Sequence, residues 1–344
     1  MNFRKEKFHN CKIVFSYFII LLLFLTISIS KAVSIEKKVT LTLASGWSRH
    51  DLGNFWLDKF IDRINKEGKT VKIDYKGGPE VVPVFEGLTY VSKGTIDLWH
   101  GTPPYYTGHI PVALGALYFS ASQEEMRKFG FWDLFDKVHR EKAGVTALGQ
   151  LWRGDPFGCF LKKPIEKADL KGLKIRTTPI MNPFVEALGG IPMSIPPAET
   201  YTALERGIVD GLMYPYGPGL IEQRWHEVVQ YVIHPVIPWE TCAPLLANVK
   251  RWDSLPKEVK DEILKVILEL ESQAYVWYKN EAVKRIDWAI NQGFLKVIKL
   301  SPPEAEKWVT VAKEASWNFV LKRDEFYGPK FRDLARKIEE MRKK

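Results

Sequence analysis

The sequence predicts an α/β protein made of two halves, with one long helix spanning both. Three observations carry this. Residues 169–219 read as β-α-β-α-β. Residues 39–101 hold a second βαβ arrangement. The run from Pro256 to about Asn291 contains no internal proline or glycine. Strands alternating with helices of this length give a mostly parallel, doubly wound sheet. With 344 residues, 46% of them hydrophobic, the chain has ample material for two cored domains.

Taken in order, Val39 to Ala44 alternates apolar and polar and starts the first half as a strand, with Ser45-Gly46-Trp47-Ser48 as the loop at its carboxyl end. A helix is expected from about Asn54 to Lys66, with Trp56, Phe60 and Ile64 on one stripe and Gly68 as its stop. Val71 to Tyr75 is the next strand. Val84, Phe85, Leu88 and Val91 line a second helix. Thr95 to His100 is a third strand, ending in Gly101-Thr102-Pro103-Pro104. Gln123 to Phe135 reads as one helix and Val145 to Trp152 as a strand. The chain is expected to cross into the second half near Arg153-Gly154-Asp155-Pro156 and to return just after the proline-interrupted stretch Val232–Trp239. The resulting partition is 38–153 with 244–285 for domain I and 154–243 with 286–344 for domain II.

The second half begins with the strand Leu173–Arg176. Asn182-Pro183 opens a helix that Gly189-Gly190 stops. Ile191 to Ile195 is a strand, and Pro196-Pro197 opens a helix through Glu205, ended by Gly207. Ile208 to Tyr214 is the last strand, followed by a loop with Pro215, Gly217, Pro218 and Gly219. Beyond the long helix, Phe294 to Leu300 is a strand and Ser301-Pro302-Pro303-Glu304 a capping box before two closing helices. A helix of roughly 36 residues is about 54 Å long, more than one domain of this size needs.

The first 32 residues look like a secretion signal: Arg4, Lys5, Lys7 and Lys12 precede an apolar run, Ile13 to Ile29, and Ser30-Lys31-Ala32 offers small residues for cleavage. An uncleaved anchor is the alternative, since the run is long. The formal net charge is +9, and removing residues 1–32 leaves +5, a mild bias towards anionic partners. No basic cluster with interleaved aromatics points to nucleic acid. Cys159 and Cys242 are too few for a disulfide framework and are expected as free, packed thiols.

No sequence pattern carries covalent chemistry. The seven histidines show no H-E-x-x-H pair, and no Gly-x-Ser-x-Gly elbow, GxGxxG or phosphate loop occurs. No metal or cofactor is expected. In doubly wound sheets ligands sit beyond the carboxyl ends of strands. Arg176 and Tyr214 fall at such ends, as do Trp47, Trp99 and Trp152, and Thr102 lies in the loop after one. Trp239 lies in the connecting stretch. For the tryptophans, cleft wall and core packing stay equally open.

The run Asp169–Arg176 (DLKGLKIR), Ala187-Leu188-Gly189, Pro192, Tyr201–Leu204 (YTAL), Gly207 and Val209-Asp210-Gly211 resembles, without gaps, the substrate-binding proteins of tripartite ATP-independent periplasmic (TRAP) transporters. A weaker resemblance covers most of the remaining chain, including Gly94–Leu98 and the long late helix. The resemblance implies a two-domain fold of the type II periplasmic-binding-protein kind, with a ligand cleft between the domains. It implies an extracytoplasmic subunit, expected as a monomer, that closes on a small organic acid and passes it to membrane permease subunits. A secreted enzyme on a similar scaffold and a sensory binding subunit are the alternatives.

The resemblance also assigns the ligand carboxylate to Arg176, whose planar fork matches a carboxylate with two parallel hydrogen bonds. Many relatives carry a second arginine shortly before the KPI segment, here Lys163-Pro164-Ile165. Phe157 stands at that place, and Arg153, four residues earlier, is the alternative second clamp. Where many relatives have Q-E-N after V-D-G, this chain has Leu212-Met213-Tyr214, and Pro197 stands where some place an aromatic. With Trp47, Trp99 and Trp239 as apolar wall, these departures favour a monocarboxylate with an apolar or aromatic body over a C4-dicarboxylate.

Overall fold

The computed structural model describes residues 38–217 and 219–342. The expected secretion signal over residues 1–32, and Pro218 of the expected loop, lie outside the described residues. Among the described residues no helix is long and apolar enough to cross a membrane. The described residues from Val39 onward form one compact unit.

The first half is built as the periodicity predicts. Strand β1 (Val39–Ser45) pairs in parallel with β2 (Val71–Gly77) and with β3 (Leu98–His100). Helix α1 (Phe55–Glu67) buries Trp56, Leu57, Phe60, Ile61 and Ile64. The expected second helix begins as a 3-10 turn at Val84–Glu86 and continues as α2 (Gly87–Ser92). The expected helix Gln123–Phe135 is two: α3 (Gln123–Lys128) and α4 (Phe131–Ala143). Gly130 between them has a φ of 76°, a left-handed conformation that ends one helix and re-aims the next.

The second half confirms the β-α-β-α-β reading. Strand β5 (Lys174–Thr177) lies in parallel between β6 (Ile191–Ser194) and β7 (Gly211–Pro215), with α5 (Asn182–Ala187) and α6 (Pro197–Glu205) as crossovers.

The two halves share one ten-stranded sheet. Its central pair is antiparallel: β4 (Val145–Leu161) against β9 (Ile237–Asn248). The order is β2-β1-β3-β9-β4-β7-β5-β6, and β8 (Tyr231–His234) joins β4 beyond the end of β9 and carries β10 (Lys296–Lys299). Gly154 and Pro156 do not break β4. The pairing with β9 absorbs them as register shifts between Arg153 and Pro156 and between Pro156 and Phe157. The chain thus passes from one half to the other within a paired strand.

After α7 (Val249–Asp253), helix α8 (Lys257–Asn291) runs for 35 residues, about 52 Å. Its Val259 to Tyr278 side feeds the larger hydrophobic core, whereas Ala282, Ile286 and Ala289 belong to a second core with Leu212, Tyr214 and Trp225. The helix therefore packs on both halves, as expected. Two helices, α9 (Pro302–Arg323) and α10 (Gly328–Arg342), close the chain. Ser301 forms no side-chain cap. The Glu304 carboxylate that would complete the box instead accepts a 2.7 Å hydrogen bond from the Ala168 N–H. Cys159 and Cys242 are free and buried.

Candidate ligand-binding site

A cavity enclosing about 400 Å³ of empty space, mouth included, opens where the carboxyl ends of β5 and β7 meet the loops after β1 and β3. Trp47, Thr102 and Tyr105 come from the first half; Arg176, Thr178, Met181 and Tyr214 come from the second. The central strands supply Trp152 and Phe157 from β4, and Thr241, Cys242 and Ala243 from β9. The wall is largely aromatic and aliphatic. Among the described residues that line it, Arg176 is the one formally charged group.

The Arg176 guanidinium is fully buried. Its Nε donates to the Ile195 carbonyl at 2.9 Å and Nη1 to the Met213 carbonyl at 3.3 Å, which fixes the plane of the fork. Nη2 is buried without a partner. No carboxylate pairs with it among the described residues, and burial lowers its pKa from the ordinary value. A buried cation lacking a counter-ion is costly unless something supplies one. The Thr178 hydroxyl and the Tyr214 hydroxyl are also buried and unpartnered in the same wall. The Trp152 indole N–H, turned towards Asp155, does not reach hydrogen-bond geometry with it. All four groups can donate a hydrogen bond.

Two acids stand just behind this wall. Asp155 is fully buried on β4 and accepts from the Gly217 N–H at 3.0 and 3.2 Å. Burial pushes its carboxyl up to about 8, so near neutrality it carries little charge to offset Arg176. Asp51 lies in the loop after β1, and burial raises it to about 6.

Of the sequence-stretch candidates, Trp47, Thr102, Phe157, Arg176 and Tyr214 meet in this cavity. Four others do not line it. Arg153 faces the other side of β4 from Trp152 and donates to the carbonyls of Ala116, Phe119, Ala121 and Thr241, with Glu240 at 3.8 Å. Four of its five N–H groups are engaged there, and it does not line the cavity where a second clamp is expected. Met213 alternates with Tyr214 and points its side chain into the core; only its carbonyl touches Arg176. Trp99 packs in the core so tightly against Gly87 and Gly101 that a Cβ at either would meet its ring within 2.0 and 2.1 Å. Trp239 is wedged between Tyr118, Phe157 and Phe184, supporting Phe157 from behind.

Sequence reasoning missed Tyr105, Thr178, Met181, Thr241 and Cys242. Thr178 was recoverable, since it lies two residues beyond Arg176. The β9 residues were missed because the proline-interrupted, extended stretch reads as ending at Trp239, whereas the strand runs on to Asn248.

The family model for bacterial extracellular solute-binding proteins, family 7, matches residues 65–323. The chain belongs to this family. A solute-binding protein of Albidiferax ferrireducens is 24% identical over 273 residues, covering 75% of this chain and 78% of that protein. A monocarboxylate 2-oxoacid-binding periplasmic protein of Nostoc is 27% identical over 198 residues, and here the match spans about half of each, 53% and 52%. The C4-dicarboxylate-binding periplasmic protein DctP of Vibrio cholerae is 25% identical, again over about half of each chain, 50% and 52%. Among solved structures, a TRAP periplasmic solute-binding protein from Rhodoferax ferrireducens with bound malonate superposes with a TM-score of 0.75, at 22% identity, over 87% of this chain and 98% of that one. A Bordetella pertussis extracytoplasmic solute receptor binding pyroglutamic acid gives 0.76, at 17% identity, over 87% and 99%. The fold is the two-domain fold of the TRAP binding proteins, as the motif resemblance implied.

Proposed function

We propose that this chain is the extracytoplasmic binding subunit of a TRAP transporter, that it captures a small monocarboxylate by closing its two halves around it, and that it delivers the acid to membrane permease subunits. The observation that carries the proposal is Arg176: fully buried, unpaired, and left with one free N–H edge on an otherwise apolar cavity wall. A carboxylate is the counter-ion that such a group lacks. The Thr178 and Tyr214 hydroxyls are placed to serve a second oxygen of the same ligand, a carbonyl or hydroxyl near the carboxylate.

The relatives are named for both kinds of acid, monocarboxylate and dicarboxylate. The choice between them rests on the wall. With Phe157 in the cavity and Arg153 spent on carbonyls, a second carboxylate would be buried without a cation, which is costly. The domain crossings belong to the same reading: the halves meet within the β4–β9 pair, at about Arg153 and Cys242. The protein acts in the periplasm or its equivalent, as a monomer.

The test is mass spectrometry of the acid released from purified, denatured protein, followed by calorimetry against matched monocarboxylates and dicarboxylates. A released monocarboxylate that rebinds, with weaker binding of the corresponding dicarboxylate, is the expected result. Tight binding of succinate or malate with no binding of any monocarboxylate would overturn it.

A further inference from the structure

A second hollow of about 920 Å³ adjoins the ligand cavity and shares Trp47 with it. It is bounded on one side by Ser48, Asp51, Phe85 and Glu86, and on the other by Pro197, Glu199 and Gln223. Its two sides come from the two halves of the fold, so it is the outer mouth of the cleft. Among the described residues one side-chain hydrogen bond crosses it: Gln223 Nε2 donates to Asp51 Oδ2 at 3.4 Å. The other Asp51 oxygen accepts from the Gly53 N–H at 2.7 Å, capping the turn Leu52–Asn54. The same turn is held from the long helix, where the Tyr278 hydroxyl donates to the Leu52 carbonyl at 2.6 Å. Beside Gln223, Glu222 is paired with Arg285 of α8.

We infer that Asp51 and Gln223 form the latch of the cleft, and that the latch closes with a proton on Asp51. Asp51 is 6% exposed in this closed arrangement. The groups that face it are Gln223 and Glu222 from the loop after β7, Tyr214 at the end of β7, Tyr105 after β3 and Tyr278 on α8. On its own loop, Arg49 is paired with Asp58. None of these supplies a cation to Asp51; the Gly53 and Gln223 hydrogen bonds favour its ionised form, but burial outweighs them and Glu222 adds a like charge. Burial therefore opposes its ionised form, and its carboxyl sits at about 6 against 3.8 when free. With the mouth open, Gln223 withdraws and water reaches the carboxylate. The closed form thus binds a proton more tightly than the open form. Closure gains as pH falls through about 6, and the gain is complete near the free value. Asp51 is a positioning residue in this scheme: it holds the mouth shut and touches no ligand.

The inference rests on the reading that the two halves close, but its test needs no ligand. Nitroxide labels at Glu86→Cys and Glu199→Cys, exposed residues on opposite sides of the mouth, report its width. This background also carries Cys11→Ser and, at the cavity-lining thiol, Cys242→Ala, and Cys159 is buried and remains unlabelled. In the labelled protein the ratio of short to long distances is expected to rise about tenfold between about pH 8 and about pH 5. Asp51→Asn keeps the cap to Gly53 and cannot ionise; with the Gln223 amide turned so that its oxygen accepts from the new Nδ2, its ratio is expected to stay level, near the acid value of the parent. Gln223→Glu places a second acid on the latch and is expected to favour the open form at about pH 8. A parent ratio that does not change with pH, or an Asp51→Asn protein that keeps the parent's pH dependence, overturns the inference. Failure to bind any acid would leave these distances unaffected and bears only on the proposed function.

Discussion

The Arg176 guanidinium lies 5.3 Å from the centre of the Tyr214 ring, on the neighbouring strand, which runs parallel to its own. The aromatic face stabilises the cation without neutralising it. Backbone carbonyls of Ile195 and Met213 fix two of its nitrogens, and the third faces the cavity wall free. This is a cation held in readiness.

Arg176→Ala removes the counter-charge for the ligand and leaves a carboxylate unpaired in a closed cavity. Truncating one partner of such a pair costs about 2–5 kcal/mol, roughly 30- to 3,000-fold in affinity. Calorimetry with the acid released from the wild-type protein is the measurement, and binding within about threefold of wild type would remove Arg176 from the site.

Phe157→Arg puts a cation where the wall is now aromatic. Its affinity for a dicarboxylate relative to the monocarboxylate of the same length should rise by about tenfold or more, as expected for a new charge-assisted hydrogen bond. Competition calorimetry with succinate and butyrate measures the ratio. An unchanged ratio in a folded variant shows that the second end of the ligand lies elsewhere.

Thr178→Val keeps the shape of the wall and deletes an unpartnered buried hydroxyl. The ligand-free protein should gain about 1 kcal/mol of stability, because no hydrogen bond is lost, while affinity falls about fivefold. Thermal unfolding with and without ligand separates the two effects. A loss of both together would show that the hydroxyl serves the fold.

His139 lies in the core between the Phe135 carbonyl at 2.7 Å and the Tyr106 hydroxyl at 2.9 Å. The carbonyl can only accept, so Nδ1 carries the proton and Nε2 accepts from tyrosine. Burial lowers its pKa to about 4, against 6.5 unfolded. The unfolded chain therefore binds the extra proton in this window, and stability falls as pH drops from 6.5 to about 4, by about 3 kcal/mol. Urea unfolding of wild type and His139→Gln at about pH 7 and about pH 4.5 should show a smaller acid loss in the variant. Equal losses would exclude His139 as the source.

The β-α-β-α-β half was legible because its turns are written in local residues: Asn182-Pro183, Gly189-Gly190, Pro196-Pro197 and Gly207. Arg176 and Tyr214 followed from the rule on strand ends. The central strands were legible only in part: Val145–Trp152 reads as a strand, but Gly154, Pro156 and Pro238 signal breaks that tertiary pairing overrides, whereas Pro235 does fall in a break between β8 and β9. For β4 the pairing with β9 runs on through register shifts. Trp99 and Trp152 look alike in sequence, each at the end of an expected strand. Trp152 reaches the cavity and Trp99 packs against Gly87 and Gly101, a difference set by residues remote in the chain. Arg153 was ambiguous for the same reason. Its four carbonyl partners come from the 3-10 turn and loop over residues 116–121 and from β9.

The unbroken course of β4 beside β9 also has a mechanical meaning. The pair is matched from Val145 against Asn248 to Phe157 against Ile237, with four register shifts along the way. Such a ribbon is a leaf spring rather than a pin joint. In the closure proposed above, a change of angle between its ends would fall on these irregular steps, where the hydrogen-bond ladder is disrupted. Bending stores elastic energy, and the ribbon recoils when the load is removed. Stiffening one step should therefore shift the resting angle slightly and leave the range of travel nearly intact.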